Sequence, residues 1–264
     1  MIILFLDILA DDPTAYQENE IMLQDYGGYS GLIQRGIGAE HYLENLKPGL
    51  CELKEIQRTT KRLTNFDGII VSGSIINIGP DDQIKTWQEN VFNLIRQAVK
   101  LAIPTIGFCG GHQFGDRALT GNPATIIKNP LGRNFGASSV KFTPAGAKHP
   151  LFRGCSDTSL FQWSHKYIAN KLPAGSIVLA CHPLSNYAAF QYQSFIGLQW
   201  HPELGALPES EYGARIMRDI ALARKDDLIS SQFIADEQSF EKFLKQAILP
   251  APDSALIIKN WLNT

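Results

Sequence analysis

The stretch IPTIGFCGGHQFGDRAL, residues 103–119, sets Cys109 among four glycines at the end of an apolar run. A short branched segment at 104–108 that closes on a glycine-rich turn and runs into a helical pattern predicts a strand, a tight corner and a helix. Working outward, GIIVSG at 68–73 reads as another buried strand. Between the two, Trp87, Val91, Ile95 and Ala98 or Val99 recur at helical spacing, which predicts an amphipathic crossover helix. Strand-like runs at 2–9 and 50–56 extend the pattern. The alternation predicts an α/β fold with a mostly parallel central sheet flanked by helices.

Beyond residue 121 the texture changes to short alternating runs: ATIIKN, GASSVKFT, SIVLACH, NYAAFQY and FIGLQWH, punctuated by Gly, Pro and Asn. The last two predict a hairpin around Gln193 and Ser194. Helical patterns resume near 209–225, 236–248 and 253–262, with Pro250 and Pro252 as breakers. With no repeat, linker or low-complexity tract, one domain over 1–264 is the economical expectation, carrying extra C-terminal helices at about 209–264.

Composition narrows the function. With 44% hydrophobic and 19% charged residues, the chain has the balance of an enzyme-sized globular protein. A formal charge of −2 with scattered Lys and Arg offers no basic stripe for nucleic acid. The apolar start MIILFLDILADDP lacks a basic leader region and carries Asp7 within the run, so it reads as a first strand rather than a signal peptide. No run approaches a membrane span, and the expectation is a soluble, cytoplasmic protein. Four dispersed cysteines, Cys51, Cys109, Cys155 and Cys181, fit free thiols better than a disulfide framework, and no pattern calls for a metal or cofactor.

Cys109 is the residue on which function turns. At a strand-to-helix corner its side chain is lifted clear, and the N–H groups that open the helix favour an anionic sulfur. Gln113 lies one turn on and shares its side. A thiolate requires a proton acceptor held by a third group, and GLQWHPE supplies His201 and Glu203, two apart, so that in extended chain both side chains share one side. Backbone N–H groups of Gly73, Ser74 and Gly110 are the natural donors to an oxyanion. Each piece has a plainer reading. Most strand-terminal cysteines are small core residues, the reading assigned to Cys51, Cys155 and Cys181. His112 reads as structural, and Asp81 and Asp82 as a turn with a helix cap.

Together these residues resemble the class I glutamine amidotransferase family. GFCGGHQ is similar to its G-x-C-x-G-x-Q elbow and GLQWHPE to its G-x-Q-x-H-P-E segment, while FDGIIVSGS, GRNFGASSV, FQWSHKY and LPAGSIVLACHPLSNYAAFQ follow in the family's order over roughly residues 1–220. The likeness is strongest to the amidotransferase domain of GMP synthase and to free-standing relatives such as gamma-glutamyl peptidases, which share the DYGGYSGLI type of segment. The resemblance implies a flavodoxin-like fold and a Cys109, His201, Glu203 triad acting on a γ-glutamyl amide. It places Gln113 and the backbone near Trp163, Ser164 and His165 around the glutamyl group. Where the family often has Gly-Gly-Pro, this chain has Gly73-Ser74-Ile75.

Three functions stay open at this point. The chain hydrolyses a γ-glutamyl amide, glutamine or a γ-glutamyl peptide, through a cysteine thioester; it is an ammonia-donating glutaminase serving a separate synthase chain; or it is a non-catalytic scaffold on the same fold. The tail beyond the His-Pro-Glu segment is expected to be too short for a synthase domain, and no GxxxxGK[ST] phosphate loop is present. The acceptor side of the pocket is expected to be formed by loops such as 10–30 and 75–85.

Overall fold

The computed structural model describes residues 1–205, 210–230 and 233–264. In chain order the elements begin with β1 (Ile2–Leu6), α1 (Pro13–Glu20), α2 (Gly28–Ile37), β2 (Tyr42–Leu46), α3 (Leu53–Lys61), β3 (Gly68–Val71), α4 (Thr86–Lys100), β4 (Thr105–Phe108) and α5 (Gly110–Thr120). There follow β5 (Ile126–Lys128), β6 (Asn134–Ser139), β7 (Lys141–Phe142), β8 (Leu160–His165), β9 (Tyr167–Ala169), β10 (Ile177–His182), β11 (Ser185–Tyr192) and β12 (Phe195–Leu198). The chain continues through α6 (Ser210–Ala223), α7 (Lys225–Ser230), α8 (Glu237–Gln246) and α9 (Ser254–Trp261).

The main sheet has the order β2-β1-β3-β4-β12-β11-β10-β7. From β2 to β12 every pairing is parallel, and beyond β12 the ladder turns antiparallel. Strands β5 with β9, and β6 with β8, form two small separate sheets.

Alternation along the parallel strands divides the core in two. Ile3, Phe5, Ile70, Ile106, Phe108 and Leu198 face a layer that includes α2 and the C-terminal helices. Leu4, Leu6, Ile69, Val71 and Phe195 face α3, α4 and α5 through Ile56, Trp87, Val91 and Phe114. The crossover helix α4 buries Trp87, Val91, Ile95, Ala98 and Val99 as its spacing predicts.

The sequence reading fails in three places. Residues 50–56 are not a strand: from Leu53 the chain is α3, which turns only Ile56 and Thr59 inward. The strand beside β1 is β2, an edge strand with a mostly solvent-facing sequence, Tyr42 being 64% exposed, so no apolar alternation marks it. The segment 10–30 is not loop but α1, a 3₁₀ stretch at Ile21–Tyr26 and the start of α2. At the C-terminus, Lys225–Ser230 forms its own short helix, and residue 209, the expected helix start, lies outside the described residues.

The hairpin lies where it is predicted, between β11 and β12, with Gln193 at φ 51°. It brings β12 alongside β4 in parallel, with Leu198 level with Phe108. The ends of β3, β4 and β12 therefore converge at one edge of the sheet. In open parallel sheets that edge is where ligands bind.

Candidate active site

The corner between β4 and α5 is a strained one. Cys109 has φ 48° and ψ −101°, a region that side chains rarely occupy and that persists only when surrounding structure enforces it. Two glycines enforce it by leaving no room for anything else. An ideal Cβ at Gly111 would lie 2.3 Å from the Val71 carbonyl oxygen, and one at Gly107 would lie 2.5 Å from the Gly111 carbonyl. The Cys109 N–H donates to the Leu198 carbonyl at 2.8 Å, so the elbow is also tied to β12.

Leu198 ends β12, and three residues later His201 lies beside the elbow. It is not in extended chain: His201 precedes a single 3₁₀ turn, Pro202–Leu204, and that turn, rather than the alternation of a strand, brings Glu203 back to it. His201 Nδ1 lies 2.8 Å from Glu203 Oε1. A carboxylate only accepts, so Nδ1 carries the proton and Nε2 is left for the sulfur side. Burial works against a charge on His201, but Cys109 and then Glu203, through charge and hydrogen bonding, outweigh it and lift the imidazole to about 10. An imidazole held this way can take a thiol proton and hold the resulting charge.

The Glu203 carboxylate is itself buried and held by a residue that sequence reasoning did not select. Tyr29 Oη donates to Glu203 Oε1 at 2.8 Å and accepts from the Gly73 N–H at 3.0 Å. Burial first, and the neighbouring Glu203 charge second, push the Tyr29 hydroxyl well above its ordinary value, so it remains a donor. Tyr29 lies within the DYGGYSGLI segment; its signal was a resemblance without a chemical motif.

Of the three expected oxyanion donors, then, the Gly73 N–H is occupied by Tyr29, because a buried N–H this close to a hydroxyl is satisfied by it. The Ser74 N–H and the Gly110 N–H have no acceptor among the described residues. They also lie together, since an ideal Cβ on Gly110 would sit 2.5 Å from Ser74 N.

Cys109, His201 and Glu203 line a cavity of about 280 Å³. Gln113, Ser164 and His165 also line it, and the Cys109 thiol reaches the Ser164 carbonyl at 3.7 Å. The Gln113 amide is committed to the Tyr167 carbonyl at 2.8 Å. Burial lowers His165 to about 3, which keeps its ring neutral. Trp163 is placed differently: fully buried behind the wall, it donates from Nε1 to the Ser138 carbonyl and packs on Trp200, so only its neighbours reach the cavity. The segments around 19–29 and 75–77 contribute lining residues, the former from helices rather than a loop.

The residues given plainer readings follow them only in part. His112 is fully buried, lowered by burial to about 4, with Nε2 3.0 Å from the Tyr187 carbonyl. Asp82 accepts from the Gly79 N–H at 2.7 Å, closing a turn, but neither it nor Asp81 caps a helix, because α4 begins at Thr86 with Lys85 at its N-cap. All four cysteines are free thiols; Cys51, Cys155 and Cys181 are half-buried rather than core residues, and Cys109 alone is buried.

The chain is similar to known proteins along most of its length. A family model described as "Glutamine amidotransferase class-I" matches residues 23–220. A GMP synthase [glutamine-hydrolyzing] of Macrococcus caseolyticus is 27% identical over 208 residues, covering 78% of this chain and 36% of that protein. One from Streptococcus pneumoniae is 29% identical over 211 residues, with 77% and 36% covered. The chain thus spans little more than a third of these relatives' length. A glutamine amidotransferase crystal structure from Thermotoga maritima shares the fold at a TM-score of 0.65 and 18% identity, covering 98% of both chains. Among the described residues, no helix is long and apolar enough to cross a membrane. The match across most of the chain, on a sheet whose parallel strand ends carry the cysteine elbow, makes this protein a member of the class I glutamine amidotransferase family.

Proposed function

We propose that this chain hydrolyses a γ-glutamyl amide, glutamine or a γ-glutamyl peptide, through a thioester on Cys109. The observation that supports it is the meeting of Cys109, His201 and Glu203 at the wall of one cavity, with His201 hydrogen-bonded to Glu203 and its charge favoured by both neighbours. Cys109 sulfur adds to the δ-carbonyl carbon, and the developing oxyanion faces the N–H groups of Ser74 and Gly110. The carbon–nitrogen bond breaks as His201 gives its proton to the leaving ammonia or amine. Water, losing a proton to the same imidazole, then cleaves the thioester to glutamate and restores the thiolate. Gln113, Ser164 and His165 border the glutamyl portion, and no cofactor enters the scheme.

The test is glutamate release from glutamine and γ-glutamyl peptides by the wild type and by Cys109→Ala and Cys109→Ser. Activity surviving in either variant overturns the proposal. The likeness to glutamine-hydrolysing GMP synthases supports a second version, the ammonia-donating one, in which ammonia passes to a synthase rather than to water. That version expects slow glutamine turnover by the chain alone and acceleration when a cell extract supplies the acceptor enzyme and its substrate. Fast unaided turnover excludes it.

A further inference from the structure

The charges lining the cavity do not match the substrate glutamine. His201 faces two negative groups, the Cys109 sulfur and Glu203, and Arg133 is paired with Asp227, so that with Arg224 and Lys166 counted one positive charge remains in excess. Arg224 also lines the cavity, and among the described residues its guanidinium has no hydrogen-bond or ion-pair partner. Lys166, exposed at the rim, adds a further positive charge. Glutamine carries one ammonium and one carboxylate and is neutral overall, so it leaves this excess uncompensated. A γ-glutamyl group joined to an amino acid carries one carboxylate more.

Arg224 enters the cavity from an element that carries none of the residues assigned to the glutamyl group. Ile216, Ile220 and Arg224 follow at intervals of four along and just past α6, and all three line the cavity, so one face of that helix ends in the guanidinium. Gln113, Ser164 and His165 belong to α5 and β8, elements other than α6, and border the portion assigned above to the glutamyl group. Burial, and then the charge of Arg133, disfavour the Arg224 cation, while Cys109 and then Asp227 favour it; Arg224 and Cys109 line the same cavity. An arginine fork matches a carboxylate with two parallel hydrogen bonds. Arg224 also lies beyond residues 23–220, the part matched by the family model, so it is supplied by the C-terminal helices rather than by the common core.

We propose that Arg224 binds a carboxylate on the departing amine, so that the preferred substrates are γ-glutamyl amino acids rather than glutamine. This rests on the γ-glutamyl hydrolysis proposed above and adds the chemistry of the leaving group.

The experiment compares kcat/KM for γ-glutamylglycine and for γ-glutamylethylamide, which is similar in size and lacks the second carboxylate, in the wild type, Arg224→Gln and Arg224→Lys. The wild type is expected to favour γ-glutamylglycine by about 10-fold or more, as for a charge-assisted contact. That ratio should approach one in Arg224→Gln and recover in part in Arg224→Lys. A wild-type ratio near one, or the same ratio in all three proteins, overturns the proposal, and the wild-type ratio decides even if a variant fails to fold. Calorimetric binding of both compounds to Cys109→Ala separates this inference from the hydrolysis it rests on. Preferential binding of γ-glutamylglycine without turnover in the wild type supports the Arg224 site while overturning hydrolysis, and equal binding overturns the Arg224 site alone.

Discussion

Tyr29 and Glu203 share a 2.8 Å hydrogen bond across the width of the site, and through the same hydroxyl the Gly73 N–H is held at 3.0 Å. A side chain from the start of α2 thus fixes both the carboxylate that orients His201 and the loop that follows β3. Tyr29 is a positioning residue in this arrangement, since the series from Cys109 to Glu203 is complete without it.

Tyr29→Phe keeps the ring and its edge contact with Phe5 but leaves a buried carboxylate oxygen and a buried N–H without the hydroxyl. The expected cost is about 1–3 kcal/mol of stability, with kcat for glutamate release reduced by roughly 10-fold. Thermal melting and steady-state kinetics measure the two. A variant that melts earlier but keeps full kcat limits Tyr29 to a structural role.

Glu203→Gln preserves shape but removes the charge that helps to hold His201 at about 10, and lets the amide present a donor where Nδ1 needs an acceptor. By the logic of triads in general, kcat is expected to fall by about 10²- to 10⁴-fold. Alkylation of Cys109 by a glutamine-like electrophile should slow in parallel. Unchanged alkylation would detach Glu203 from the chemistry.

Gly111→Ala places a methyl group 2.3 Å from the Val71 carbonyl oxygen, with backbone on both sides of the clash. The expected loss is about 3 kcal/mol, or failure to fold, at the upper end of what overpacking costs. Denaturant midpoints report it. A fully stable Gly111→Ala protein would mean that the corner relaxes more easily than its contacts allow.

Asp116, fully buried on α5, gives a pH signature that owes nothing to the reaction. Burial raises its carboxyl from 3.8 to about 7, the Thr125 hydroxyl opposing weakly. Because the folded state holds this proton more tightly than the unfolded chain, the stability it confers is full below about 3.8 and is lost as pH rises toward about 7. Asp116→Asn should flatten that segment of the stability curve and gain at least about 1 kcal/mol relative to wild type above pH 7. Urea midpoints at a series of pH values measure it, and parallel curves for the two proteins would show that Asp116 does not titrate there.

Much of this site was legible because its residues are punctuated by geometry that few sequences provide. Gly107, Cys109 and Gly111 announce a corner by steric necessity, and α4 announces itself by the spacing of Trp87, Val91 and Ile95. The edge strand β2 was hidden because an edge strand need not alternate, and Leu53–Lys61 was misread because two inward residues are too few to declare a period. Tyr29 and Arg224 escaped for a different reason. Tyr29 meets Glu203 across 174 residues of chain, Arg224 reaches the cavity only through the packing of α6, and no local pattern records such a meeting. The occupation of the Gly73 N–H likewise follows only from where Tyr29 arrives.

The ladder that joins Cys109 N–H to the Leu198 carbonyl has a consequence for how such a chain can change over time. The spacing between sulfur and imidazole is fixed by main-chain pairing of β4 with β12, which any pair of apolar strand sequences can supply. Helices on either face can then be exchanged, lengthened or added without retuning that spacing. A protein 18% identical to this one retains the same fold over 98% of its length, and a backbone register of this kind leaves the walls around Cys109 free to vary.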